Sequence, residues 1–135
     1  MVTAKRWAGG CLCGSCRYEF EGEPPHSGYC HCNMCKRSTG GGFAVLVQAP
    51  RASLTWINGA PAVFRSSPIA TRGFCRECGS PLFLQYDGDD LVRLTAGSLD
   101  QPERIRPASH YGIESRLAWA DIGPGLPEEE TKERL

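Results

Sequence analysis

Cys30-His31-Cys32-Asn33-Met34-Cys35 places three thiols on one short stretch of chain. Thiols at C-x-C and C-x2-C spacing converge on one point in a turn, which is what a metal ion needs. They are poor disulfide partners, because a disulfide demands a specific Cα and Cβ geometry. Three thiolates around a divalent zinc leave a net charge of about −1 and one open coordination position, the pattern of catalytic rather than structural sites. Water or a substrate thiolate could take that position. His31 lies between two thiols and reads as a flanking residue, not a ligand. Lys36 and Arg37 follow at once. They are either a solvated basic pair or a rim that attracts a carboxylate-bearing substrate.

Five further cysteines complete a set of eight. Cys75-Arg76-Glu77-Cys78-Gly79 reads as a zinc knuckle, with Gly79 letting the backbone fold beneath the metal. Such a knuckle needs a second pair, and Cys11-Leu12-Cys13-Gly14 is one candidate. Joining them would staple the N-terminal strand to the middle of the chain. Structural zinc of this kind can contribute on the order of 10 kcal/mol to folding. Cys16 is ambiguous. It could close the Cys30, Cys32, Cys35 set with a fourth thiolate, or face the core beside Tyr18 as a small apolar residue.

The elements that position these thiols are short. Sixteen glycines and ten prolines in 135 residues favour turns and strands over long helices. Strands are expected at 17–21 and 43–48. A hairpin is expected from 54–57 and 63–65 around Asn58-Gly59, and another from 82–86 and 91–95 around Asp87-Gly88-Asp89-Asp90. One short helix should run to Thr39 and stop at Gly40-Gly41-Gly42. Trp56, Trp119 and Phe43 read as core. The chain reads as one domain over 1–127, followed by a charged, frayed tail over 128–135.

Lys plus Arg and Asp plus Glu each number fifteen, a formal charge of zero. That argues against a protein built to grip nucleic acid or an anionic membrane. The longest apolar run, Phe43 to Val47, is too short to cross a bilayer. The start MVTAKRWAGG lacks the apolar core of a secretory signal, so a cytoplasmic setting with reduced thiols is expected. The oligomeric state is left open.

Four blocks, GGCLCGSCRYEFEG, CHCNMCKRSTGGGF, RGFCRECGSPLF and SHYGIESRLAWADI, resemble the glutathione-dependent formaldehyde-activating enzyme family, which also takes in the centromere protein V group. They span Gly9 to Ile122. The resemblance implies a mainly β fold, a zinc-braced β-tent of small antiparallel sheets. It implies two zincs per chain: a structural one on Cys11, Cys13, Cys75 and Cys78, and a second on Cys30, Cys32 and Cys35. Cys16 has no fixed place in the family pattern. The implied activity is that of a carbon–sulfur lyase, joining a glutathione-like thiol to a small aldehyde. Cys30, Cys32 and Cys35 would be its anchor, with Lys36, Arg37 and His110 as candidate substrate contacts. Two alternatives stay open. One is a non-catalytic binding module with both zincs structural, mediating protein or nucleic-acid contacts, which Cys16 as a fourth ligand would favour. The other is a metal-buffering or redox protein.

Overall fold

A computed structural model describes residues 5–133. Eleven short strands among these residues form two sheets, accompanied by one α-helix and three short 3-10 helices. The smaller holds β1 (Arg6–Gly10), β2 (Arg17–Glu21) and β5 (Thr55–Asn58), in the order β1-β2-β5. The larger holds β3 (Ser27–Cys30), β4 (Ala44–Pro50), β6 (Ala62–Ser67), β7 (Ala70–Phe74), β8 (Pro81–Tyr86), β9 (Leu91–Thr95), β10 (His110–Tyr111) and β11 (Glu128–Glu129). Its order is β11-β10-β3-β4-β9-β8-β7-β6. The fold is mainly β, as expected, but the larger sheet is not wholly antiparallel. β10 runs parallel to both β3 and β11.

Side chains alternate across a strand, so each sheet has two distinct faces. In β2, Tyr18 and Phe20 turn inward, Phe20 stacking with Trp7 of β1 and Tyr18 meeting Trp56 of β5 edge-on. They meet Val47 and Ala49 of β4 and Val92 and Leu94 of β9, forming the main core between the sheets. The registers Leu46↔Thr95, Gln48↔Arg93, Leu84↔Arg93 and Arg72↔Leu84 put Leu46, Gln48, Arg93, Leu84 and Arg72 on the opposite face. Cys30 pairs with Ala44, two residues from Leu46, and so points to that second face too.

The expected hairpin over 82–95 is present as β8 and β9. The one around Asn58-Gly59 is not. β5 pairs with β2, whereas β6 pairs with β7 in the other sheet. Trp56 is held by Tyr18, and Asn58 Nδ2 donates to the Gly14 carbonyl at 3.2 Å. The Asn-Gly segment is thus docked on the first cysteine turn and carries the chain between sheets. Trp119 is 72% exposed rather than core. Its ring lies over Gly42, where a Cβ would be 2.2 Å from the indole.

The charged segment after Pro127 is not frayed through the described residues. β11 pairs with β10, and Thr131 and Glu133 are buried. Residues 134 and 135 lie outside the described residues.

Candidate metal centres and the adjoining cavity

β3 ends at Cys30, a turn carries His31 and Cys32, and helix α1 (Asn33–Thr39) brings Cys35 back one turn later. Cys32 caps the helix, its sulfur accepting from the Cys35 N–H at 3.3 Å. Gly40 ends it in the left-handed conformation, φ 81°, which glycine adopts without steric penalty. The three sulfurs lie within 4.8 Å of one another, with Cys30 and Cys32 at 3.3 Å. All three residues are buried. Three buried thiols cannot all ionise side by side. Bonds with Cys32 and Cys35, together with burial, push the Cys30 thiol up. Bonds with Cys30 and Cys35 hold Cys32 down as the thiolate of the set.

Arg72, which the sequence reading missed, supplies the countercharge. It is buried, with Nη1 donating to Ser38 Oγ at 2.9 Å and Nη2 to Cys35 Sγ at 3.6 Å. A buried guanidinium needs an anionic partner, and here the thiol set supplies it first, with Glu133 adding to it. The available signal was the alternation of β7, which turns Ala70 and Arg72 to the same inward face.

The other cluster forms as the spacing suggested. Cys11, Cys13, Cys75 and Cys78 have sulfurs within 4.8 Å of one another, including 3.6 Å for Cys11–Cys13 and 3.8 Å for Cys13–Cys75. Tetrahedral zinc with bonds near 2.3 Å sets its sulfurs about 3.8 Å apart, so this set fits the ion. Cys78 is lowered to about 5, first through its side-chain bond with Ser80. None of the eight cysteines is tied up in a disulfide, so all are available to a metal.

Cys16 lies with the first cluster, not the second. It packs on Cys11, Cys75 and Leu82, and its N–H donates to Cys11 Sγ at 3.3 Å. Among the described residues, no histidine, carboxylate or further cysteine joins the Cys30, Cys32, Cys35 set.

A cavity of about 430 Å³ opens beside Cys30. Leu46, Gln48, Leu84 and Arg93 line it from the sheet, and Tyr86, Tyr111 and Lys132 contribute to its sides. His110 also lines it, but Lys36 and Arg37 do not. Lys36 Nζ instead donates to the Ser115 carbonyl at 2.7 Å. Both ring nitrogens of His110 are engaged, Nδ1 with His31 at 2.8 Å and Nε2 with the Gly123 carbonyl at 2.9 Å.

Residues 6–115 match the family model described as glutathione-dependent formaldehyde-activating enzyme. The chain belongs to this family. The match takes in every cysteine of both clusters. It stops seven residues short of the Ile122 at which the four sequence blocks end. A protein of Halomonas elongata named "Putative glutathione-dependent formaldehyde-activating enzyme" is 27% identical over 130 residues, covering 84% of this chain and 79% of its own. The fold is also similar to a crystal structure of a Rhodobacter sphaeroides protein. That match has a TM-score of 0.56 and 18% identity, over 90% of this chain and 98% of that one. No helix among the described residues is long and apolar enough to cross a membrane.

Proposed function

We propose that the protein is a zinc-dependent carbon–sulfur lyase that reversibly joins a glutathione-like thiol to a small aldehyde such as formaldehyde. The observation that carries this reading is the Cys30, Cys32, Cys35 set with no fourth protein ligand among the described residues, beside a cavity large enough for a peptide thiol. Two zincs per chain are expected, one on each cluster. The first braces the fold. At the second, zinc would favour the thiolate form of a substrate thiol and polarise a carbonyl.

The chain's own residues have distinct tasks. Cys30, Cys32 and Cys35 anchor the metal, and Arg72 offsets the negative charge of the thiolate set. The cavity beside Cys30 orients the thiol and limits access of water. The substrate sulfur attacks the aldehyde carbon. The C–S bond forms as the carbonyl π bond opens, and the thiol proton ends on the new hydroxyl oxygen. No oxidant or reductant is needed. His110 bridges His31 and the Gly123 carbonyl through its two ring nitrogens. Lys36 ties α1 to the Ser115 carbonyl, and neither it nor Arg37 lines the cavity. A cytoplasmic setting, where thiols stay reduced, suits the eight free cysteines.

The test is exchange NMR of glutathione and formaldehyde with zinc-loaded protein. Condensation faster than in buffer alone supports the reading. An unchanged rate, with both metal sites filled, overturns it.

A further inference from the structure

The cavity beside Cys30 is built from two parts of the chain. Its floor is the sheet face carrying Leu46, Gln48, Leu84 and Arg93. Its outer wall includes Glu129, Lys132 and Glu133. That wall lies beyond residues 6–115, the part of the chain that matches the family model.

The wall is fastened at several points. β11 pairs with β10, and Arg116 Nη1 bonds Glu128 Oε2 at 2.6 Å. The Thr131 N–H donates to Glu114 Oε1 at 2.7 Å, and the Lys132 N–H donates to Tyr111 Oη at 2.7 Å. Side chains then alternate. Thr131 and Glu133 turn inward, and Lys132 stays outside with a side chain 77% exposed. The buried Glu133, beside Tyr86, and the exposed Lys132 both line the cavity, so their charges differ in access to water. Arg93 is the second cation of the lining, paired with Asp89 at 2.6 Å and lying over the Tyr86 ring. Lys132 pairs with Glu129 in the open, and water weakens such a pair, so a ligand carboxylate can replace it. A carboxylate close to the reacting sulfur would meet Glu133. One placed further out would meet Lys132 and Arg93.

Resting on the reading of the Cys30 set as a thiol-activating site, we propose that the segment Glu128–Glu133 is its specificity element. Lys132, together with Arg93, binds a carboxylate that the thiol carries several bonds from its sulfur. The site thereby selects an acidic, peptide-like thiol over a small neutral one.

The test compares glutathione with 2-mercaptoethanol, each with formaldehyde, in zinc-loaded wild type, Lys132→Glu and Lys132→Arg. Lys132 is exposed, so neither variant disturbs the core. The kcat/KM ratio of glutathione over 2-mercaptoethanol should fall about tenfold in Lys132→Glu, the loss expected for one charge-assisted contact, and be largely kept in Lys132→Arg. Equal ratios in all three proteins would overturn the proposal. If wild type accelerates neither thiol, the function itself fails separately. Calorimetric Kd values for the same two thiols then decide the wall's role. A ratio shifted by Lys132→Glu supports it, and an unshifted ratio overturns it.

Discussion

His31 Nε2 and His110 Nδ1 lie 2.8 Å apart, in a buried pair whose protons can be placed. The Gly123 carbonyl can only accept, so His110 Nε2 carries a hydrogen. With both rings neutral, His110 Nδ1 is an acceptor and His31 Nε2–H donates to it. 15N NMR should find both rings as Nε2–H tautomers; a Nδ1–H form of either contradicts the assignment.

Burial first, then the neighbouring His110, Arg116 and Lys36, holds the His31 imidazole below its ordinary value. The sign follows from linkage. Unfolded His31 takes a proton near pH 6.5, while folded His31 resists it. Its contribution to stability is present above that pH and declines as pH falls through it. Denaturation of wild type and His31→Gln should show a difference that narrows below pH 6.5. A constant difference would contradict this. At neutral pH, His110→Ala should cost about 1–3 kcal/mol by leaving buried polar groups unpaired.

Arg72 should act on the second metal alone. Arg72→Met removes the countercharge of the thiol set and should release one zinc to a chelator while the other stays bound. Arg72→Lys should recover only part of the loss, because an ammonium cannot repeat the fork between Ser38 Oγ and Cys35 Sγ. Metal content after chelation checks this. Equal retention in all three proteins would remove Arg72 from the site.

The two clusters should differ in what they hold together. Cys13→Ser should lose a zinc and unfold the chain, since a metal worth on the order of 10 kcal/mol exceeds the stability of most domains this size. Cys35→Ser should lose the other zinc and keep the β signal in circular dichroism. Cys16→Ser should keep two zincs. A fall to one zinc in Cys16→Ser would contradict its placement as a packing residue beside the first cluster.

These thiols were the most legible part of the chain. Short spacings within 11–16, 30–35 and 75–78 constrain the backbone directly, so composition and distance along the chain suffice. Helix α1 was legible for a similar reason, because Gly40 marks its end locally. The pairing of β5 was not. An Asn-Gly pair between two apolar runs signals a hairpin, but the Trp56–Tyr18 contact and the Asn58–Gly14 bond are tertiary and override it. The last segment misled for another reason. EEETKE reads as solvated, and nothing local shows that β10 offers it an edge or that Thr131 and Glu133 alternate inward. Arg72 was obscured because one arginine in a β run looks like any exposed one until its sheet face is known.

Asp89 offers a test on the acid side. Its bond with Arg93 holds the carboxyl below the usual range, so the pair stabilises the fold at neutral pH. That contribution fades as pH falls through the lowered value. A carboxyl-carbon NMR titration should show the Asp89 midpoint below that of an ordinary aspartate, and Arg93→Gln should raise it. The same midpoint in both would mean that Arg93 is not fixed at the cavity by this pair.

The most direct measurement is the exchange rate between glutathione, formaldehyde and their hydroxymethyl adduct, on zinc-loaded wild type, Cys16→Ser and Cys35→Ser. Wild type and Cys16→Ser should both exceed the uncatalysed rate, and Cys35→Ser should fall to it. Equal rates in all three, or loss of catalysis in Cys16→Ser with Cys35→Ser still active, would contradict a thiol-activating centre on Cys30, Cys32 and Cys35.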